Sequence, residues 1–140
     1  MVIDTSAIIA ILTGEPERQV FNDAVENAGS RVMSAASFVE ASIVIQSSRG
    51  YDGLRDFDLF VASAGIEILP VDLEQARVAR EAFRRYGKGR HPAALNYGDC
   101  FSYALAKTTG FPLLFKGDDF AGTDIEPAVL RTGKPTAFGQ

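Results

Sequence analysis

The chain opens Met1-Val2-Ile3-Asp4-Thr5-Ser6-Ala7-Ile8-Ile9-Ala10-Ile11-Leu12, and the reading of this stretch decides the fold. Val2–Ile3 reads as a very short buried strand that ends on a carboxylate. Ser6 can cap a helix through Ala7, Ile8, Ile11 and Leu12, stopping near Gly14. A strand followed at once by a helix is the first half of a βαβ unit.

The same grammar recurs downstream. Pro16 suits the first turn of a second helix that reaches about Ala28 and stops at Gly29. Val32–Met33 reads as a second short strand. Ser37 caps a helix carrying Phe38, Ala41 and Ile45, which ends at Gly50. Leu54 to Ala64 is a further amphipathic helix, ended by Gly65. Ile66 to Leu69 is a strand terminated by Pro70. Leu73 to Tyr86 places Ala76, Ala79, Ala82 and Phe83 at helix spacing. Residues 87–96 form a loop, Tyr97 to Thr109 a helix stopped by Gly110, and Leu113 to Phe115 a strand. A loop with Gly117 and Gly122 follows, then a last short strand near Ile125. Strands alternating with helices predict an α/β protein: a single α/β/α sandwich around a short-stranded, mainly parallel sheet. Residues 1–130 are expected to form the domain, and residues 131–140, with Gly133, Pro135 and Gly139, a weakly ordered tail.

With 140 residues the chain has the length of one domain and can bury roughly 70% of its unfolded surface. Its single cysteine, Cys100, excludes an internal disulfide framework and a cysteine-rich zinc site. No apolar run approaches the roughly 20 residues of a membrane span, and no basic segment precedes a hydrophobic one. A cytoplasmic protein with no membrane partner is the expectation. The net charge of −4 argues against bulk, non-specific nucleic-acid binding. Its distribution matters more, because Arg84, Arg85, Lys88, Arg90 and His91 cluster around Tyr86.

Four separated acidic points carry the chemistry: Asp4, Glu40, Asp99 and the pair Asp118–Asp119. Each sits at the end of a short apolar stretch or inside one, where a carboxylate is costly to desolvate without a partner. Asp4 could instead cap a helix, Asp99 could complement a helix dipole, and Asp118 and Asp119 could be turn residues. Glu40 is the only charge in Phe38-Val39-Glu40-Ala41-Ser42-Ile43-Val44-Ile45, and a helix so apolar is buried. In parallel sheets ligands bind beyond the carboxyl ends of the strands, where Asp4 and the Asp118–Asp119 pair fall. Two carboxylates about 4 Å apart repel by roughly 1–4 kcal/mol. A cluster of four therefore protonates or spreads unless a cation joins it. Hard oxygen donors suit Mg²⁺ and Mn²⁺, which orient water and neutralise charge on a phosphate. The expected chemistry is metal-assisted phosphodiester cleavage. The basic cluster has two readings: helix-end cations opposing the dipole, or, for Lys88 and Arg90, groups that grip phosphates. His91 carries little weight as a ligand.

Several segments resemble one family. Met1-Val2-Ile3-Asp4-Thr5-Ser6-Ala7 is similar to the opening of PIN-domain ribonucleases, and more narrowly of the VapC toxins of bacterial toxin–antitoxin pairs. Ser37-Phe38-Val39-Glu40, Leu95-Asn96-Tyr97-Gly98-Asp99-Cys100-Phe101 and Leu113-Leu114-Phe115-Lys116-Gly117-Asp118-Asp119-Phe120 resemble its later acidic segments, in the same order. The resemblance implies a Mg²⁺- or Mn²⁺-dependent endoribonuclease that cleaves structured RNA such as tRNA or rRNA. It also implies a homodimer silenced by an antitoxin, whose helix uses an apolar groove on the early helices. Catalytic roles then fall to Asp4, Glu40, Asp99, Asp118 and Asp119, with Asp4, Glu40, Asp99 and Asp118 as metal ligands. Thr5 and Ser6 are the hydroxyls expected on the substrate side, with Lys88 and Arg90. Many members place the fourth acid three residues before the phenylalanine, where this chain has Gly117, so Asp118 and Asp119 compete for that role. The rivals are a catalytically silent PIN-like binding module and an aspartate-based phosphoryl-transfer or receiver domain. Lys116 favours the receiver reading; Ser6, where a phosphatase of the haloacid dehalogenase type needs a second aspartate, opposes the phosphatase one.

Overall fold

The structure, a computed structural model, describes residues 1–130. The expected tail, residues 131–140, lies outside the described residues. In chain order the elements are β1 (Val2–Ile3), α1 (Thr5–Leu12), α2 (Arg18–Asn27), β2 (Val32–Ser34), α3 (Ala35–Ser63), β3 (Glu67–Leu69), α4 (Leu73–Tyr86), α5 (Tyr97–Thr109) and β4 (Leu113–Leu114). A short 3₁₀ turn spans Phe120–Gly122. The strands form one parallel sheet in the order β3-β2-β1-β4.

Register explains the layers. Val2 pairs with Val32 and Leu113, and Ile3 with Leu114. Successive residues of a strand point to opposite faces. Val2, Val32 and Leu113 therefore pack with Ala82, Tyr103 and Leu105 under α4 and α5. Ile3, Met33 and Leu114 pack with Ile8, Ile45 and Phe57 under α1, α2 and α3. Strands this short are stable because both faces are covered and the central pair is wholly buried. The expected α/β/α sandwich is the one observed.

Local details differ from expectation at the caps. Asp4, rather than Ser6, caps α1 by accepting from the Ser6 backbone N–H. Ser34, rather than Ser37, caps the following helix, which starts directly on β2. The expected break at Gly50 is present inside α3: its φ of +66° and ψ of −156° divide the run into two helical legs. The second helix begins at Arg18, because Pro16 and Glu17 form a turn ahead of it. Strand β3 omits Ile66 and β4 omits Phe115. Near Ile125 there is a single bridge, Leu113 to Pro127, rather than a strand. Among the described residues no helix is long and apolar enough to cross a membrane.

Candidate functional site

Asp4 stands where β1 gives way to α1. Its backbone N–H donates to the Leu114 carbonyl at 3.0 Å, which extends the β1–β4 ladder by one residue and holds the side chain at the carboxyl edge of the sheet. The side chain is buried and takes three hydrogen bonds. Oδ2 accepts from the Ser6 N–H at 3.0 Å and the Ser6 hydroxyl at 2.7 Å; Oδ1 accepts from the Ser102 hydroxyl at 2.5 Å. These donors offset part of the cost of burying a carboxylate. Ser6 Oγ also accepts from the Lys116 N–H at 2.9 Å. Thr5 is buried and donates to the Ser37 carbonyl at 3.2 Å. Both hydroxyls expected on the substrate side are thus bonded within the protein and hold β1, α3 and the end of β4 around Asp4.

Asp99 enters from the first turn of α5. Asn96 Oδ1 accepts from the Asp99 N–H at 2.9 Å, and Asp99 Oδ2 accepts from the Asn96 N–H at 3.0 Å. This reciprocal pair is a capping box. Asp99 therefore fills the helix-start role that the sequence allowed and keeps Oδ1 clear of that pair. Burial first, then repulsion from Asp4, Asp119 and Glu40, pushes its carboxyl up to about 7, against the lowering effect of the Asn96 N–H. The four acids share one electrostatic field. Glu40, half-buried on α3, reaches the same place by lying against Gly98, where a Cβ would overlap its carboxylate.

Asp119 immediately precedes the Phe120–Gly122 turn, and its charge is felt at Asp99. Asp118, also exposed, accepts the Ala121 N–H on its carbonyl and lines a cleft with Glu17, Phe21, Phe115 and Lys116. The Asp119 charge thus acts on Asp99 together with those of Asp4 and Glu40, whereas the sequence reading put Asp118 slightly ahead. Among the described residues no lysine or arginine forms an ion pair with these four. Lys116, the receiver-like lysine, is instead taken by Glu15 and, at 3.4 Å, by Glu17.

Among the described residues no three His, Cys, Asp or Glu side chains are drawn in closely enough to grip an ion. Mutual repulsion and the bonds that tether Asp4 and Asp99 oppose such closure. The donor chemistry nevertheless fits a hard divalent cation: all donors are carboxylate oxygens, and among the described residues no lysine or arginine is paired with them.

The basic loop leads into α5, whose first turn carries Asp99. Lys88 and Arg90 are exposed, and among the described residues neither forms an ion pair. The Lys88 N–H donates to the Leu95 carbonyl at 2.8 Å, which ties the loop to the segment entering α5. Arg90 lies 5.9 Å over the Phe83 ring. Arg84 is spent on Glu81, and Arg85 lies over Tyr86. His91 accepts the Ala93 N–H on Nδ1 and meets Tyr86 edge-on, a packing role. Sequence reasoning missed Gly98 and Ser102. Their spacing from Asp99, one residue before it and three after it, is the only sequence signal they carry.

A model of the PIN domain matches residues 1–126. A protein of Mycolicibacterium smegmatis named ribonuclease VapC is 56% identical over 125 residues, covering 89% of this chain and 97% of that one. Among solved structures, the Mycobacterium tuberculosis toxin VapC20, described as cleaving the sarcin–ricin loop, superimposes with a TM-score of 0.73 at 15% identity, covering 89% of this chain and 95% of that one. A toxin–antitoxin complex from Klebsiella pneumoniae gives 0.65 at 19% identity, covering 93% and 95%. At these identities the two structures speak for the fold alone. The family match and the near-full-length relative go further, and by them this chain belongs to the PIN-domain family and, within it, to the VapC-type toxins.

Proposed function

We propose that this chain is a Mg²⁺-dependent endoribonuclease, with Mn²⁺ as substitute, that cleaves structured RNA such as tRNA or rRNA in the cytoplasm. The observation that carries this reading is the shared field at Asp99: a half-buried carboxyl raised first by desolvation and then by Asp4, Asp119 and Glu40, with no lysine or arginine among the described residues paired to any of them. The naming of the 56% identical relative as a ribonuclease supports the same chemistry.

Asp4, Glu40, Asp99 and Asp119 would hold the ion. When bound, it supplies a more acidic water and neutralises charge that builds on the phosphate and leaving oxygen. The chain itself does the positioning. Ser6 and Ser102 fix the Asp4 carboxylate, Asn96 fixes Asp99, and Gly98 makes room for Glu40. Lys88 and Arg90 hold RNA phosphates beside the acids.

Two protein partners belong to this reading. The antitoxin is expected to cover the apolar residues that α3 leaves exposed, Val39, Ile43 and Val44. A second copy of the chain is expected on the open apolar groove between α4 and α5, lined by Ala76, Ala79, Phe83, Tyr97 and Phe101. The decisive experiment incubates the purified protein with tRNA and rRNA in Mg²⁺, in Mn²⁺ and in EDTA, beside Glu40→Gln. Cleavage is expected only with metal and only in the wild type. Cleavage that persists in EDTA, or in the Glu40 variant, would overturn the proposal.

A further inference from the structure

Behind Asp4 lies a run of buried hydroxyls. Ser102, on α5 one turn past Asp99, is fully buried and donates to Asp4 Oδ1 at 2.5 Å. Ser37, on α3 and 1% exposed, places its Oγ 3.1 Å from Ser102 Oγ. A serine hydroxyl has one proton to give and two lone pairs with which to accept. The Ser102 proton goes to the carboxylate, the stronger acceptor. Ser37 is therefore the donor to Ser102, and the run has a direction: Ser37 to Ser102 to Asp4. Each donation polarises the next O–H bond in a site closed to water.

Lone pairs on Asp4 can then be counted. A carboxylate offers about four acceptor sites, two on each oxygen. Oδ2 accepts both the N–H and the hydroxyl of Ser6, which fills it. Among the described residues Oδ1 accepts only Ser102, which leaves a single lone pair. Without Ser102 the carboxylate would be held at one oxygen alone and could turn about its Cβ–Cγ bond.

We propose that Ser102, backed by Ser37, is a positioning residue that fixes Asp4 so that one lone pair of Oδ1 remains for a divalent cation. The inference rests on the metal-nuclease reading above. It assigns the two serines a role through Asp4, with no contact to the RNA.

The test measures Mn²⁺ dissociation constants by electron paramagnetic resonance for the wild type, Ser102→Ala, Ser37→Ala and Ser42→Ala. Melting temperatures and RNA affinities are taken without metal in parallel. Loss of a partner that orients a metal ligand typically costs about 10–100-fold in metal affinity. Ser102→Ala is expected to weaken Mn²⁺ binding within that range, and Ser37→Ala by less, because it leaves the Ser102–Asp4 bond in place. Ser42 bonds the Phe38 carbonyl within its own helix, so Ser42→Ala should bind Mn²⁺ as the wild type does. Metal-free RNA affinity should be unchanged in all three. A purely structural role predicts lower melting temperatures with unaltered dissociation constants. An unaltered constant in Ser102→Ala, with Mn²⁺ bound normally by the wild type, would overturn the positioning role and leave the nuclease reading standing. A wild-type protein that binds no Mn²⁺ would overturn both. Should Ser102→Ala not fold, Ser37→Ala decides: a wild-type constant there would overturn the proposal.

Discussion

Gly98 seats the carboxylate of Glu40. A Cβ at position 98 would overlap Oε2, so only glycine lets α3 lay its acid against the first turn of α5, beside Asp99. The contact joins helices whose sequence positions are far apart, and it places an acid from each in one field.

Gly98→Ala should therefore separate folding from function. Gly98 lies in a helix, and its φ is not positive, so alanine strains nothing in the backbone. Alanine favours a helix over glycine by about 0.5–1 kcal/mol. The atoms in the way are the end of a flexible side chain, so Glu40 should swing aside. Melting temperature should hold or rise, while Mn²⁺ affinity and RNA cleavage fall to the level of Glu40→Gln. Wild-type cleavage by Gly98→Ala would show that the Glu40–Gly98 contact is incidental.

The metal-free protein should lose stability as pH rises toward neutral. Asp99 is raised from 3.8 to about 7 in the fold, chiefly by burial and then by its acidic neighbours. Between these values the native state binds the proton more tightly than the unfolded chain, so stability is greatest below the lower value and declines through the window. Above about 7 the contribution should be constant. Urea unfolding from about pH 5 to about pH 8 should show this slope in the wild type and not in Asp99→Asn. Mn²⁺, which must displace that proton, should bind more tightly as pH rises through the same range.

Asp119→Asn should reduce cleavage markedly, because the Asp119 charge reaches Asp99, and its loss is expected to exceed that of Asp118→Asn. Turnover at saturating Mg²⁺ for the two variants checks the order. A greater loss in Asp118→Asn would reassign the fourth acid.

Lys88→Ala combined with Arg90→Ala should weaken RNA binding more than it slows cleavage of bound RNA. For every phosphate that a side chain no longer neutralises, the log–log salt dependence of binding should flatten by about 0.7–0.9 units. RNA affinity measured across several salt concentrations is the check. If the cluster served only the α4 dipole, stability would drop and the slope would stay.

Much of the fold was legible in the sequence because it rests on local rules. Apolar pairs such as Val2–Ile3 and Val32–Met33 are too uniformly hydrophobic for an edge and are followed at once by helix starts, which is how a buried parallel strand reads. Glycines at 50, 65 and 110 marked where helices bend or end. The caps were displaced by a few residues because Asp4 and Ser34 compete with the nearby serines, and backbone geometry alone decides which side chain reaches an N–H.

The candidate site divides the same way. By itself the sequence determined which acids exist, that Glu40 is anomalous in an apolar helix, and that the chain lacks nearby cations to pair with them. Tertiary structure alone decided their grouping. The charge of Asp119, just before Phe120, acts on Asp99; Thr5 and Ser6 are bonded within the protein; Ser102 reaches Asp4 across 98 residues of chain; and Gly98 opens space for Glu40. The reason is physical. Periodicity and capping depend on neighbours along the chain, whereas repulsion, lone-pair satisfaction and steric room depend on distances that exist only once the helices have packed on the sheet.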